Sequence, residues 1–196
     1  MPALDYDESE LHELFQANVF AVMRMCKEFT PLLIAARGTI VQTGSVAGLM
    51  PYAWGAPYNA SKAALHAFSD TLRVELAPLG VRVVTVVTGG VRSNIARTHR
   101  TLPSGSYNLP LAKDYERRLT HSQQLGMDTR EYARSCVRQV LSGDGWVFKQ
   151  RWIWEGKMSW AVWFAWSYLP VAVFDWYFTF VFKLGKLRGT AGRKDS

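Results

Sequence analysis

Cysteine is scarce: Cys26 and Cys136 are the only two in 196 residues, and both fall in helical patterns. Two isolated thiols build neither a metal cluster nor a disulfide framework, so a reducing compartment is expected. Residues 1–15 carry five acids, no Lys or Arg and no apolar run, which excludes a secretory leader in that stretch. Internal repeats and low-complexity segments are also missing. The net charge is +7, and residues 183–196 hold five bases against one acid. The other bases are dispersed, and the aromatic-rich segment is too apolar for a stacking platform, so nucleic acid is not the expected partner. A basic end beside apolar residues suits an anionic membrane surface instead. What is present is a 48% hydrophobic composition, enough for one globular domain with a core.

The pattern predicts a long amphipathic helix from Asp7 to Ala36, with Leu11, Leu14, Phe15, Val19, Val22, Cys26, Phe29 and Leu33 at helical spacing. Pro31 is expected to kink it or split off its last turns, and Gly38 to end it. Thr39 to Ser45 reads as a short β-branched strand. After a loop from Val46 to Pro57, a second long helix runs from about Tyr58 to Leu76, closed by Pro78 and Gly80. Val81 to Thr88 is nearly continuous apolar sequence, as in a parallel strand buried on both faces. Gly89-Gly90 follows at the carboxyl end, where open α/β sheets bind ligands. This order implies βαβ crossovers in a three-layer α/β domain.

Residues 91–128 are polar and rich in turn residues; they read as a lid or as a plain surface loop. A helix from Asp128 to about Leu141 follows, and Trp146 to Trp154 reads as a last strand. Residues 158–182 hold eleven of the 26 aromatics and one charged side chain, Asp175, between Lys157 and Lys183. The length suits a bilayer span, yet Pro170 sits at its centre and tryptophan prefers the interface. A bent hairpin lying in one leaflet is the favoured reading. The alternative is an apolar helix capping the soluble core over a substrate pocket. Either way the segment points to an apolar substrate.

Tyr58 and Lys62 stand four residues apart on the second helix, so their side chains share a face. A nearby ammonium favours the phenolate and is expected to lower the Tyr58 pKa towards working pH. Such a phenol gives a proton to a carbonyl being reduced, or takes one from an alcohol being oxidised. Ser45, thirteen residues earlier at a strand's carboxyl end, can hold the same oxygen.

Tyr58-Asn-Ala-Ser-Lys62, Thr43-Gly-Ser45 and Asn18, forty residues before Tyr58, resemble the short-chain dehydrogenase/reductase family. Thr88-Gly-Gly-Val-Arg-Ser93 is similar to its Pro-Gly-x-Val-x-Thr stretch. Within the family, Thr43-Gly-Ser-Val-Ala-Gly48, Leu102-Pro103, Tyr107-Asn108 and the aromatic tail resemble the fungal 1-acyldihydroxyacetone-phosphate reductases. The resemblance implies that Tyr58 is the general acid/base and that Ser45 orients the carbonyl. It implies that Lys62 lowers the tyrosine pKa and binds the nicotinamide ribose, while Asn18 holds a water. Val91 and Ser93 would contact the nicotinamide, and Arg24 would either reach the cofactor or lie solvated. His66 and His99 are expected as surface or lining residues. NADP(H) is the implied cofactor, an apolar small-molecule carbonyl compound of lipid or secondary metabolism the substrate, and the two long helices a homo-oligomer interface. The expected location is the cytoplasmic face of the endoplasmic reticulum or a lipid droplet, and otherwise the cytoplasm.

The family pattern opens with a strand, a Gly-x-x-x-Gly-x-Gly turn and a helix that receives the pyrophosphate, and this sequence contains no such turn. The expected fold is therefore a partial Rossmann-type three-layer α/β sandwich lacking its first strands, with 1–157 as its carboxyl-terminal part. Residues 158–196 would add an aromatic helical segment with a basic tail. An amino-terminal truncation is expected to leave the long helices with exposed apolar faces and the chain weak in cofactor binding. A non-catalytic, membrane-tethered scaffold is the second reading.

Overall fold

The computed structural model describes residues 1–93, 101–142 and 151–188, with 119–125 as backbone only. A helical stretch begins the chain because the Asp7 carboxylate accepts from the Ser9 amide at 2.8 Å, capping α1 (Glu8–Phe15). It passes through a π-helical turn, Gln16–Phe20, into α2 (Ala21–Ala36). Pro31 does not split off the last turns; α2 runs through that residue to Ala36. The irregularity lies instead at the π turn, which carries Asn18. Arg37, in the left-handed region at φ 49°, ends the helix one residue before the glycine expected to do so.

The sheet is parallel, in the order β1 (Thr39–Thr43), β2 (Arg82–Thr88), β3 (Trp152–Glu155). Val41 pairs with Val84, and Val86 with Ile153. β2 is covered on both faces, as its apolar run predicts. Val81 and Val83 pack with Leu76, Leu33 and Leu72 from α2 and α3 (Ala56–Leu76). Val84 and Val86 pack with Ile153 and with Tyr132, Cys136 and Val140 of α5 (Thr129–Ser142). Of the expected Trp146–Trp154 strand, Trp152 to Trp154 fall within β3, and 146–150 lie outside the described residues.

β1 is an edge strand. Beside it lies an apolar groove of about 500 Å3, walled by Met25, Cys26, Phe29, Leu33, Ile40 and Val41. The apolar face of the first helical stretch is thus exposed there, as expected.

Within 91–128, read from sequence as lid or loop, the structure holds a helix, α4 (Ala112–Leu125). Leu111, just before it, and Tyr115, one turn on, are both fully buried. Leu111, Tyr115 and Leu119 recur every four residues in the sequence, a short helical signal that the turn-rich residues before them obscured.

The aromatic segment forms a bent hairpin of α6 (Ser159–Tyr168) and α7 (Ala172–Val181). Leu169 is extended, as a residue before proline tends to be. Among the described residues no helix is long and apolar enough to cross a membrane. Phe174, Phe178 and Phe182, spaced four apart, pack against Trp54, Leu111 and Tyr115. One face of the hairpin therefore caps the domain, as the alternative reading required. The other face is open: Trp160, Trp176 and Phe180 are 70%, 70% and 73% exposed.

Candidate active site

α3 starts at Gly55 with Pro57 in its first turn, where the missing N–H costs nothing. It presents Tyr58 and Lys62 beside the carboxyl end of β1. There Lys62 Nζ donates to the Thr43 carbonyl at 2.9 Å and lies 5.7 Å from the centre of the Tyr58 ring. Two residues past Thr43, Ser45 is extended, and its Oγ accepts from the Ala47 amide at 3.1 Å. The Ser45 side chain lies near the Tyr58 phenol and favours its ionised form. Asn18, on the π turn, donates from Nδ2 to Ser61 Oγ at 3.0 Å, and Ser61 Oγ donates to the Tyr58 carbonyl at 2.8 Å. The π turn thus holds Asn18 against α3 (such turns recur at functional sites).

Three elements accordingly bring Asn18, Ser45, Tyr58 and Lys62 together. The expected electrostatic effect on Tyr58 differs. Burial pushes the Tyr58 phenol up, and the Ser45 side chain opposes this only in part. Lys62 was expected to pull that pKa down, but its ammonium points to a backbone carbonyl, and burial lowers its own pKa. Desolvation disfavours the charged form of each group, which moves an acid up and a base down.

Val91 and Ser93 follow β2. Gly90 bridges to Lys157, and Val91 to Met127 at the start of α5. The Arg92 guanidinium meets Asp128 at 3.2 Å, and Thr129 Oγ1 donates to the Arg92 carbonyl. Ser93 is exposed. Arg24 is not brought to the site: it is exposed and donates to Gln16 Oε1 at 3.3 Å. His99 lies outside the described residues. His66, expected at the surface or in a lining, is 3% exposed, and its Nε2 accepts from the Ser45 amide at 3.1 Å. The available signal was its place one turn beyond Lys62 on the same helical face.

The residues fit the nicotinamide-ribose end of a dinucleotide. Among the described residues Lys62 uses one of its three donors, so two remain for ribose hydroxyls. No glycine-rich turn joins a strand to a helix among the described residues to receive a pyrophosphate.

An aromatic roof, not resolved residue by residue from sequence, covers the loop before Tyr58. Tyr52 meets Phe178 and Phe182 edge-on at 5.4 and 5.3 Å, and the Arg118 guanidinium lies 4.9 Å from the Tyr52 ring centre. Trp54 Nε1 donates to Asn108 Oδ1 at 2.9 Å. Asp114 clamps the hairpin's end through Lys183 at 3.0 Å.

A family model described as short chain dehydrogenase matches residues 1–102. A short-chain dehydrogenase of Neurospora crassa is 39% identical over 190 residues, covering 96% of this chain and 64% of its own length. The NADPH-dependent 1-acyldihydroxyacetone phosphate reductase of Saccharomyces cerevisiae is 40% identical over 144 residues, covering 72% of this chain and 48% of the reductase. A short-chain dehydrogenase structure from Streptomyces avermitilis aligns with a TM-score of 0.67 at 22% identity, over 97% of this chain and 66% of that one. One from Burkholderia cenocepacia, in complex with NADP, gives 0.64 at 22% identity, over 86% and 59%. At that identity the structures speak for the fold. The chain spans 64% of the length of the Neurospora relative. On the family match and these relatives, the chain belongs to the short-chain dehydrogenase family.

Proposed function

We propose that this protein is an NADP(H)-dependent oxidoreductase that reduces a ketone on an apolar, lipid-like or secondary-metabolite substrate. The observation that carries the reading is that Ser45, Tyr58 and Lys62 gather at the carboxyl end of β1, with Lys62 hydrogen-bonded to Thr43 and Asn18 tied to the same helix through Ser61. Bound NADPH would supply the hydride to the carbonyl carbon. Ser45 Oγ holds the carbonyl oxygen, and the Tyr58 phenol delivers the proton that completes the alcohol. Burial keeps that phenol protonated at neutral pH, which suits an acid in the reducing direction. Lys62 offers its free donors to the ribose. Asn18 steadies α3 through Ser61 and holds a water on the proton path. Val91 and Ser93 border the nicotinamide, and Arg24 stands apart.

The preference for NADP(H) follows the yeast relative named as NADPH-dependent. The apolar substrate follows from the roof of Tyr52, Trp54, Phe178 and Phe182 over the loop that precedes Tyr58. The open aromatic face of the hairpin, flanked by Lys157, Lys183 and Lys186, suits peripheral docking on a membrane or lipid droplet at the cytoplasmic face of the endoplasmic reticulum. The exposed faces of the two long helices suit contact with a second copy.

The test is NADPH oxidation with a panel of apolar ketones, comparing the native chain with Tyr58→Phe. The native chain should turn over slowly, as a sequence without the glycine-rich turn implies, and the variant should lose nearly all of that activity. Equal turnover by both would overturn the assignment.

A further inference from the structure

The Ser45 amide is held by a side chain the proposed reaction does not use. Its N–H donates to His66 Nε2 at 3.1 Å, and the imidazole is 3% exposed. Accepting at Nε2 requires a neutral ring with its proton on Nδ1. That Nδ1 is buried without a partner among the described residues. Buried polar groups are nearly always paired, so a ring kept in this state is held by its surroundings for the bond at its other nitrogen.

The surroundings agree. A Cβ on Gly44 would lie 2.3 Å from Nε2, so only glycine lets β1 run this close to the ring. A Cβ on Gly48 would lie 3.1 Å from Cε1 and 2.9 Å from the Ala63 amide nitrogen, closing the other side. Trp152 packs on the ring at 5.4 Å between centres. Lys62 one turn before and Asp70 one turn after are the charged groups that act on it. Asp70 is itself engaged by Arg151 at 2.8 Å and Trp152 Nε1 at 3.2 Å. Thus α3 carries Tyr58 and Lys62, and the same helix reaches the backbone of Ser45 one turn further on.

We infer that His66 is a positioning residue: its neutral imidazole, as the Nδ1–H tautomer, fixes the Ser45 backbone so that Oγ stays in register with the Tyr58 hydroxyl. The inference rests on the reductase reading for its kinetic consequence and on geometry alone for its tautomer and bond. A misplaced reacting group costs rate even when contacts with the substrate survive.

Two measurements test it. In the native chain labelled with nitrogen-15, magnetic resonance should detect the Nδ1–H tautomer of His66 and a scalar coupling between the Ser45 amide nitrogen and His66 Nε2. An Nε2–H tautomer, or no coupling, overturns the inference. In kinetics, His66→Leu removes the acceptor, whereas His66→Gln keeps one near the Nε2 position. His66→Leu should lower kcat by about 10- to 100-fold with KM little changed, and His66→Gln should recover most of the loss. Equal losses in both variants, or an unchanged kcat in His66→Leu, overturn it. If the native chain shows no turnover, the reductase reading fails, and the nitrogen coupling still decides this one.

Discussion

Lys62 Nζ donates to the carbonyl of Thr43 at 2.9 Å and stands 5.7 Å from the centre of the Tyr58 ring. The ammonium thereby ties α3 to the end of β1, and the phenol meets burial with only Ser45 to favour its ionised form.

A pH profile follows. Tyr58 titrates above the ordinary phenol range, so its acid form persists through neutral pH and is lost only in alkali. Ketone reduction should hold steady from neutral pH and fall in alkali, while oxidation of the alcohol should rise there. Initial rates in both directions check this. A reduction rate that collapses near neutrality would refute the assignment of Tyr58 as the acid.

His66 should make the fold acid-sensitive. Its pKa is held down to about 4 from 6.5, by burial first and Lys62 second. Between those values the unfolded chain takes up a proton that the folded chain does not. Stability is therefore lost as pH falls from 6.5 to 4, by about 3 kcal/mol over that window. Urea unfolding of the native chain and His66→Gln at pH 7 and pH 4.5 checks it; the variant should lose less.

Gly44→Ala should destabilise by about 1–3 kcal/mol, because its methyl would overlap the His66 ring and Thr85. The shift in the urea midpoint reads this out, and Gly105→Ala, where nothing lies within 4 Å, is the control.

Phe178→Ala should cost about 3–5 kcal/mol, the range for truncating a buried phenylalanine. Phe178 is buried against Tyr52 and Phe182, so its loss should loosen the roof as well. Calorimetric unfolding gives the stability, and KM for an apolar ketone should rise relative to a small polar one.

The hairpin's open face should bind lipid. Replacing Trp160, Trp176 and Phe180 together by serine should leave thermal stability nearly unchanged, since all three are exposed. The same change should weaken flotation with vesicles containing anionic lipid. Equal flotation of both proteins would remove the membrane proposal.

Much of the site was legible because it is local. Tyr58 and Lys62 share a face by helix geometry alone, and the apolar run of β2 announced a strand covered on both sides. Pro170 in an aromatic stretch marked a bend. The rest was not local. Leu111 and Tyr115 seat α4 against partners far along the chain, and the turn-rich residues before it made its polar sequence look like a loop. Pro31 did not split off the last turns of α2, which keeps its helix to Ala36. For Arg24 the sequence left two readings, and the structure agrees with the solvated one: it is exposed and bonded to Gln16.

Residue spacing by itself determined which groups could meet: Ser45, Tyr58 and Lys62 follow from one strand end and one helical turn. Tertiary structure alone decided what those groups became. The proton affinity of Tyr58, the tautomer of His66 and the seating of Phe174, Phe178 and Phe182 all depend on how much water is excluded. That exclusion is a property of distant segments packed together, and no stretch of chain carries it alone.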